Sequence, residues 1–207
     1  MLAVQEPWWI VYAVLALGVG GGAVVWASRL EARTIETWRR FATDRGLRFV
    51  IDPSPWYRGK SFHLEGEVRG IAFRIEKWVV RRGKNSQVYT RLTASGPELV
   101  ERELSVLPNH FGTRLAKLFA KDARPTGDEA FDAKFRVYPQ GSDEPREVLH
   151  EAARAKLCEL DRLDELVLRG GTVTLRWFRL ERSPEKLQRA IEAAVTLFAR
   201  PQVPVGH

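Results

Sequence analysis

The chain is poor in cysteine: Cys158 is the only one among 207 residues. A single cysteine excludes a disulfide within the chain, and this is typical of proteins that remain in a reducing compartment such as the cytosol. Leu157 and Leu160, next to it in sequence, belong to a predicted apolar helix face. We therefore expect Cys158 to be a partly buried, inert thiol rather than a nucleophile.

Signatures of catalysis and of cofactor binding are also missing. The sequence contains no phosphate-binding P-loop, no G-x-S-x-G nucleophile elbow and no H-E-x-x-H or H-x-x-x-H pair. His63, His110 and His150 stand alone in sequence, so a zinc site would need three distant residues to converge. The sequence predicts no metal and no cofactor.

Basic residues are absent from the first 28 positions, and all 33 lysines and arginines follow them. Glu6 is the only one of 26 acidic residues before that point, so the formal charge rises from +7 for the chain to +8 for residues 29–207. Such a domain suits a negatively charged partner, which includes anionic lipid, nucleic acid and an acidic protein.

The same N-terminal region holds a long apolar run. Residues 8–27 contain no charge over twenty positions, the length that a helix needs to cross the hydrocarbon of a bilayer. Aromatic side chains, which favour the two membrane interfaces, mark its ends: Trp8, Trp9 and Tyr12 at the start and Trp26 at the finish. The sequence predicts a transmembrane helix over 8–27, preceded by a short flank at 1–7.

Three other interpretations of this segment compete. A signal peptide cleaved after Ala27 would normally begin with basic residues, which are missing here. Residues 18–23 match the dinucleotide fingerprint G-x-G-x-x-A, but no βαβ unit surrounds them. A buried core helix would not need aromatic ends. The membrane span accounts for most features, and Gly18 and Gly22 give it a G-x-x-x-G face on which two spans can pack, with an unpaired span as the alternative.

The flanks of the span predict its orientation. Arg29, Arg33, Arg39 and Arg40 follow it closely, and no basic residue precedes it. By the positive-inside rule, the C-terminal domain lies in the cytoplasm and the N-terminus outside the inner (plasma) membrane.

The remainder of the chain predicts one α+β domain with a mainly antiparallel sheet and about three to four helices. A juxtamembrane amphipathic helix occupies 28–46, with Gly46 at its C-terminal end, the domain covers 47–200, and 201–207 form a disordered tail. Apolar periodicity and turn residues predict strands at 47–51, 63–68, 71–81, 88–94, 104–107, 131–138, 166–169 and 172–180. They predict helices within 111–121, from Ser142 or Asp143 to Leu160, and from Ser183 to Pro201.

A series of short motifs suggests a relationship. In order, the chain has Trp38…Phe41-Ala42…Gly46-Leu47, Thr126-Gly127-Asp128…Phe131-Asp132…Phe135-Arg136-Val137, a Leu149…Leu157…Leu160 helix and a glycine-turn hairpin. Over roughly residues 30–200 it resembles a loosely related group of uncharacterised bacterial membrane-anchored proteins with a cytoplasmic α+β domain of unknown function. The resemblance implies a bacterial source and a domain at the membrane, and it implies no activity.

Two polar clusters are candidate sites. Asp128 and Asp132, joined by His150 from the next helix, offer groups for acid–base chemistry or for a cation. Their structural interpretation is a turn that precedes a strand. The basic turn at Arg81, Arg82 and Lys84 could instead hold a phosphate, on a lipid headgroup or on nucleic acid, or be a solvated hairpin tip.

Nucleic-acid binding would want aromatic residues among these cations, but strand alternation is expected to send Trp78 and Tyr89 inward. We therefore expect lipid headgroups, a protein partner or a second copy of the chain rather than nucleic acid. The sequence favours a single-pass anchored protein whose basic cytoplasmic domain acts by interaction. The alternatives are an enzyme with a site assembled from Asp128, Asp132 and His150, and an exported protein after signal cleavage.

Overall fold

The computed structural model describes residues 8–53, 61–82, 85–96, 103–109, 123–139 and 144–199, and of residues 8–25, 27, 82 and 85 the backbone only. The helices within these ranges are α1 (Trp8–Arg45), α2 (Glu129–Lys134), α3 (Pro145–Val148), α4 (Glu151–Cys158) and α5 (Pro184–Phe198). The strands are β1 (Arg48–Asp52), β2 (Ser61–Val68), β3 (Ile71–Arg82), β4 (Asn85–Ser95), β5 (Leu104–Pro108), β6 (Phe135–Pro139), β7 (Leu163–Arg169) and β8 (Thr172–Phe178).

All eight strands belong to one sheet, in the order β1-β2-β3-β4-β8-β7-β5-β6. Every neighbouring pair is antiparallel, which confirms the predicted α+β class with antiparallel pairing. Tight turns at Arg69-Gly70 and Gly170-Gly171 join β2 to β3 and β7 to β8, and both glycines at 170 and 171 have positive φ angles. The predicted hairpins are therefore present.

One face of the sheet carries the core. Leu64, Ile75, Leu92 and Leu175 alternate with polar residues along their strands and are fully buried on this face. The C-terminal part of α1 packs there through Trp38, whose ring meets Phe62 edge-on at 5.1 Å between centroids.

Helix α5 completes the cover of this face, because its apolar residues recur every three or four positions. Over the central strands the opposite face of the sheet is mostly polar, and within the described residues no helix covers it.

Helix α1 is continuous over 38 residues, so the predicted span and the predicted juxtamembrane helix are parts of one element. It ends before Gly46, whose φ of 64° agrees with the predicted C-terminal glycine. Among the side chains that the structure describes, no helix is both long and apolar enough to cross a membrane. Except for Trp26, the span falls outside those side chains, and the roles predicted for Trp8, Trp9, Tyr12, Gly18 and Gly22 stay predictions.

The strand predicted over 131–138 is wrong in its first half. Residues up to Lys134 form α2, and only Phe135 onward is β6. The Asp128 carboxylate accepts a hydrogen bond from the Phe131 N–H at 3.1 Å and so caps the helix. Since Phe131 and Phe135 are four residues apart, they fit one side of a helix turn as well as one side of a strand.

The single helix predicted from residue 142 or 143 to Leu160 is divided into α3 and α4. The chain is extended at His150, with ψ of 164°, and His150 caps α4 by accepting from the Ala153 N–H at 3.4 Å. Ser142, Asp143, the helix predicted within 111–121 and the tail 201–207 lie outside the described residues.

Candidate interaction surface

The β3–β4 hairpin extends beyond the rest of the sheet. The pairing of β3 with β2 ends at Glu76, and the pairing of β4 with β8 ends at Thr90. From Lys77 to Arg82, β3 therefore pairs only with β4 among the described residues. Pairing continues to Arg82↔Asn85, so both strands extend beyond their predicted bounds of 71–81 and 88–94.

Large apolar side chains are exposed along this extension. Within the described chain the exposed large hydrophobic residues number five. Two of them lie here, Trp78 and Val79, at 37% and 42% exposure, and a third, Phe178, at 46%, lies at the neighbouring end of β8. A fourth, Trp26, is 66% exposed on α1. Apolar groups gathered at one end of a domain mark an interaction surface more reliably than scattered ones.

Trp78 and Tyr89 do not turn inward as alternation was expected to require. They face each other across the hairpin on the open side of the sheet, and the Tyr89 ring meets Phe178 at 5.7 Å. The Arg91 guanidinium lies 3.5 Å from the centre of the Trp78 ring, and Arg176 lies 5.1 Å from that of Tyr89. Aromatic and cationic groups thus alternate on this surface, and both arginines are also paired with acidic side chains, Arg91 with Glu76 and Arg176 with Asp164 and Glu165.

The hairpin and the N-terminal part of α1 extend toward the same end of the domain. Leu47, just after α1, packs against Gly66, which pairs with Phe73 of β3. Sixteen residues earlier in the chain, the Glu31 carboxylate accepts from the Lys77 ammonium at 2.6 Å. The N-terminal direction of α1 is therefore also the C-terminal direction of β3.

Beyond this contact both elements continue in that direction: residue 27 lies four positions before Glu31 on α1, and Arg82 lies five positions after Lys77 on β3.

Of the predicted basic cluster, the structure describes the side chain of Arg81 alone. Arg81 is exposed at the end of β3, where it pairs with Ser86 of β4. Only the backbone of Arg82 is described, and Lys84 lies outside the described residues. Their role in binding phosphate stays a prediction.

A groove with a volume of about 630 Å³ lies between α1, the hairpin and the segment that joins β8 to α5. Leu30, Val88, Trp177 and Leu180 form its apolar walls. This volume falls in the ordinary range of small-molecule sites, about 300–1,000 Å³.

The joining segment is held in place by two buried side chains. The Thr90 hydroxyl donates to the Arg179 carbonyl at 2.9 Å and accepts from the Glu181 N–H at 2.7 Å. The Trp38 indole N–H donates to the Glu181 carbonyl at 2.8 Å. Both Thr90 and Trp38 are fully buried, so the groove wall has a fixed shape.

Asp128, Asp132 and His150 have structural roles. The Asp132 carboxylate accepts from the Thr126 N–H and hydroxyl at 3.0 and 2.8 Å and from the Gly127 N–H at 2.9 Å. Asp128 caps α2 and accepts from the Arg154 guanidinium at 3.0 Å, which holds the pKa of its carboxyl below the ordinary value.

His150 caps α4 through one ring nitrogen and lies 2.9 Å from the Thr196 carbonyl with the other. These are turn and cap interactions, so the three residues do not converge on a catalytic site.

Sequence reasoning did not single out His63 as part of a polar cluster. Its buried ring lies 3.2 Å from Asp52 and 3.4 Å from Glu65, and Arg74 approaches the same ring at 3.2 Å. Asp52 and His63 come together because β1 pairs with β2, and no local sequence pattern predicts that pairing. Within the described residues, no group of three or more His, Cys, Asp or Glu side chains is arranged to hold a metal ion.

The class defined by these features is an α+β domain built on one eight-stranded antiparallel sheet. No family model and no curated protein matches the chain. Among solved structures it is similar to the mycobacterial trehalose monomycolate transport factor A, TtfA, with a TM-score of 0.55 and 11% identity. The match covers 83% of this chain and 98% of that one, and at this identity it shows a shared fold.

Proposed function

We propose that the chain is a single-pass membrane-anchored protein whose basic domain acts, without catalysis, at the cytoplasmic surface of the membrane. The observation that carries the proposal is the direction of the hairpin. Its exposed apolar residues and basic tip extend toward the same end of the domain as the N-terminal part of α1. If residues 8–27 span the bilayer, the hairpin points toward the cytoplasmic leaflet.

Charge and side-chain type support docking on lipid. Each basic residue near an anionic leaflet contributes about 1 kcal/mol, so three at the tip contribute ~3 kcal/mol. Trp78 and Val79 come before them on β3 and are exposed. An exposed aromatic and a basic tip suit the interface between headgroups and acyl chains.

The neighbouring fold suggests what such a domain serves. TtfA is named as a transport factor for trehalose monomycolate. We propose an accessory role in membrane transport for this chain too, in which the docked domain contacts a protein partner or a second copy through the surface that the lipid leaves free. Pairing of two spans through Gly18 and Gly22 is compatible with this role.

A fluorescent probe on the hairpin tests docking in the full-length protein. In a Cys158→Ala background, Ser86→Cys places the only thiol near the tip, and Glu67→Cys places it near the opposite end of the sheet. Each protein is labelled with a polarity-sensitive dye and reconstituted into nanodiscs with phosphatidylglycerol or with phosphatidylcholine alone. We expect a blue shift for the label at 86 in the anionic discs and none for the label at 67.

Changing Arg81, Arg82 and Lys84 to glutamine should lower the docking equilibrium about 10²-fold, since about 1 kcal/mol is lost per charge. A label at 86 that reports water in both kinds of disc would refute docking. The anchor is tested separately by the mass of the mature protein and by a C-terminal green fluorescent protein. Loss of residues 1–27, or a reporter outside the cytoplasm, would contradict it.

A further inference from the structure

Two arginines of the groove adopt a backbone conformation that disfavours them. Arg162 and Arg179 have φ angles of 60° and 74°. This left-handed region is open to glycine and strained for residues with a Cβ atom. The described chain has three non-glycine residues with positive φ, and the third, Arg69, lies in the turn at the other end of the sheet. Glycine would fit this backbone conformation better. We therefore attribute the presence of arginine at these two groove positions to a role of its side chain.

The acidic groups of the groove are already engaged. Glu31 pairs with Lys77 at 2.6 Å, and Asp161 pairs with Lys186 at 3.4 Å. The Glu181 carboxylate accepts two backbone N–H groups at 2.8 Å, from residues 182 and 183.

Three groove cations are left over. Arg162, Arg179 and Arg182 are exposed and form no ion pair within the described residues. The groove thus has a surplus of positive charge, carried by guanidinium groups whose planar shape matches the oxygens of a phosphate.

Apolar side chains line the same groove as these arginines. Leu30, Val88 and Leu180 are half-buried there, and Leu30 connects the groove to the part of α1 that leads toward the predicted span. An anion joined to an apolar chain would place its charge on the arginines and its chain along Leu30, Val88 and Leu180. A fully polar ligand would leave these apolar side chains exposed to water.

We propose that this groove binds one anionic phospholipid molecule, with its phosphate held by Arg162, Arg179 and Arg182 and the start of its acyl chains on the apolar walls. The inference rests on the proposed function, because only a domain held at the leaflet meets such a lipid. It goes beyond docking by the hairpin tip, since it assigns a discrete site with a stoichiometry of one.

Native mass spectrometry of the full-length protein in mild detergent tests the site. Equal amounts of phosphatidylglycerol and phosphatidylcholine are added, and a parallel sample receives glycerol phosphate in excess. The test variant is Arg162→Asn with Arg179→Asn, because asparagine tolerates the left-handed conformation. Arg69→Asn is the matched control, with the same substitution at positive φ outside the groove.

We expect one phosphatidylglycerol on the wild type and on the Arg69→Asn control. The double variant should bind it about 10²-fold more weakly, at about tenfold for each lost charged hydrogen bond. Its thermal midpoint should stay level or rise, because backbone strain is relieved. A weaker binding that comes with a lower midpoint would overturn the proposal, since that pattern belongs to a structural role.

Other outcomes also decide. Equal retention of both lipids, or full binding by the double variant, would overturn the site. Displacement by glycerol phosphate would assign it to a soluble phosphate compound instead of a lipid. The variant of Arg81, Arg82 and Lys84 should keep the bound lipid. Binding in the groove without docking of the tip refutes only the proposed function, and docking without groove binding refutes only this inference.

Discussion

Thr90 offers a sharp test of how the groove is built. Its hydroxyl serves two backbone groups of the segment between β8 and α5, the Arg179 carbonyl and the Glu181 N–H. Valine has nearly the same shape but neither donates nor accepts. Thr90→Val therefore keeps the packing and leaves these two partly buried backbone groups without the hydroxyl as a partner.

The expected cost follows from these two groups. A buried donor or acceptor left unpaired costs about 1–3 kcal/mol, and water from the neighbouring groove reaches part of the segment. We expect Thr90→Val to lower the free energy of unfolding by about 2–4 kcal/mol, a large share of an ordinary domain stability of about 5–15 kcal/mol.

Urea unfolding followed by circular dichroism measures the effect. Thr93→Val on the same strand is the matched control. Thr93 is half-buried on the open face and its side chain has no hydrogen bond to any residue that the structure describes, so the substitution should change stability by less than about 0.5 kcal/mol. Equal effects of the two substitutions would show that the Thr90 hydroxyl does not hold the segment. Trp38→Phe removes the other tie to Glu181, and its effect should be non-additive with that of Thr90→Val, because both act on one segment.

Three further predictions concern the C-terminal half. Asp128→Asn should destabilise the protein at neutral pH; because Arg154 lowers the pKa of Asp128, the difference from wild type should shrink as pH falls below about 4 in a urea series. Burial raises the pKa of the Cys158 thiol, so at pH 8 it should react with a thiol reagent more slowly in the folded protein than in urea. Gly127→Ala should cost more stability in thermal unfolding than Gly70→Ala. Both have positive φ, but an added Cβ at 127 meets an arginine side chain, whereas space is open at 70.

The parts of the fold that were predictable from sequence depend on neighbours in the chain. Turns at Arg69-Gly70 and Gly170-Gly171, the Ser183 cap of α5 and the glycine after α1 are all short-range signals. The division between α2 and β6 was missed because a four-residue spacing of phenylalanines fits both elements. The break at His150 was missed because leucines on both sides keep helical spacing across it.

The candidate site needed contacts that no local pattern carries. Because side chains alternate along a strand, the sequence indicates that Trp78 and Tyr89 share one face of the hairpin. Which face is buried depends on where the helices pack, and no local pattern shows that. The basic tip was visible in the sequence, whereas its direction depends on the Lys77–Glu31 contact across 46 residues. The groove was invisible, since Thr90 and Glu181 are 91 residues apart.

The ties between α1 and the last part of the chain have a consequence for synthesis. Trp38 binds the Glu181 carbonyl, and Arg45 donates to Gln188 at 2.8 Å, each across 143 residues. At about 5–20 residues per second, the ribosome needs roughly 7–30 s to cover that distance. During that time the apolar side of α1 stays uncovered and can bind chaperones or form non-native contacts. Helix α1 is made before the rest of the domain but reaches its final contacts only after α5 is made, and a chain that stops before α5 leaves its apolar side uncovered.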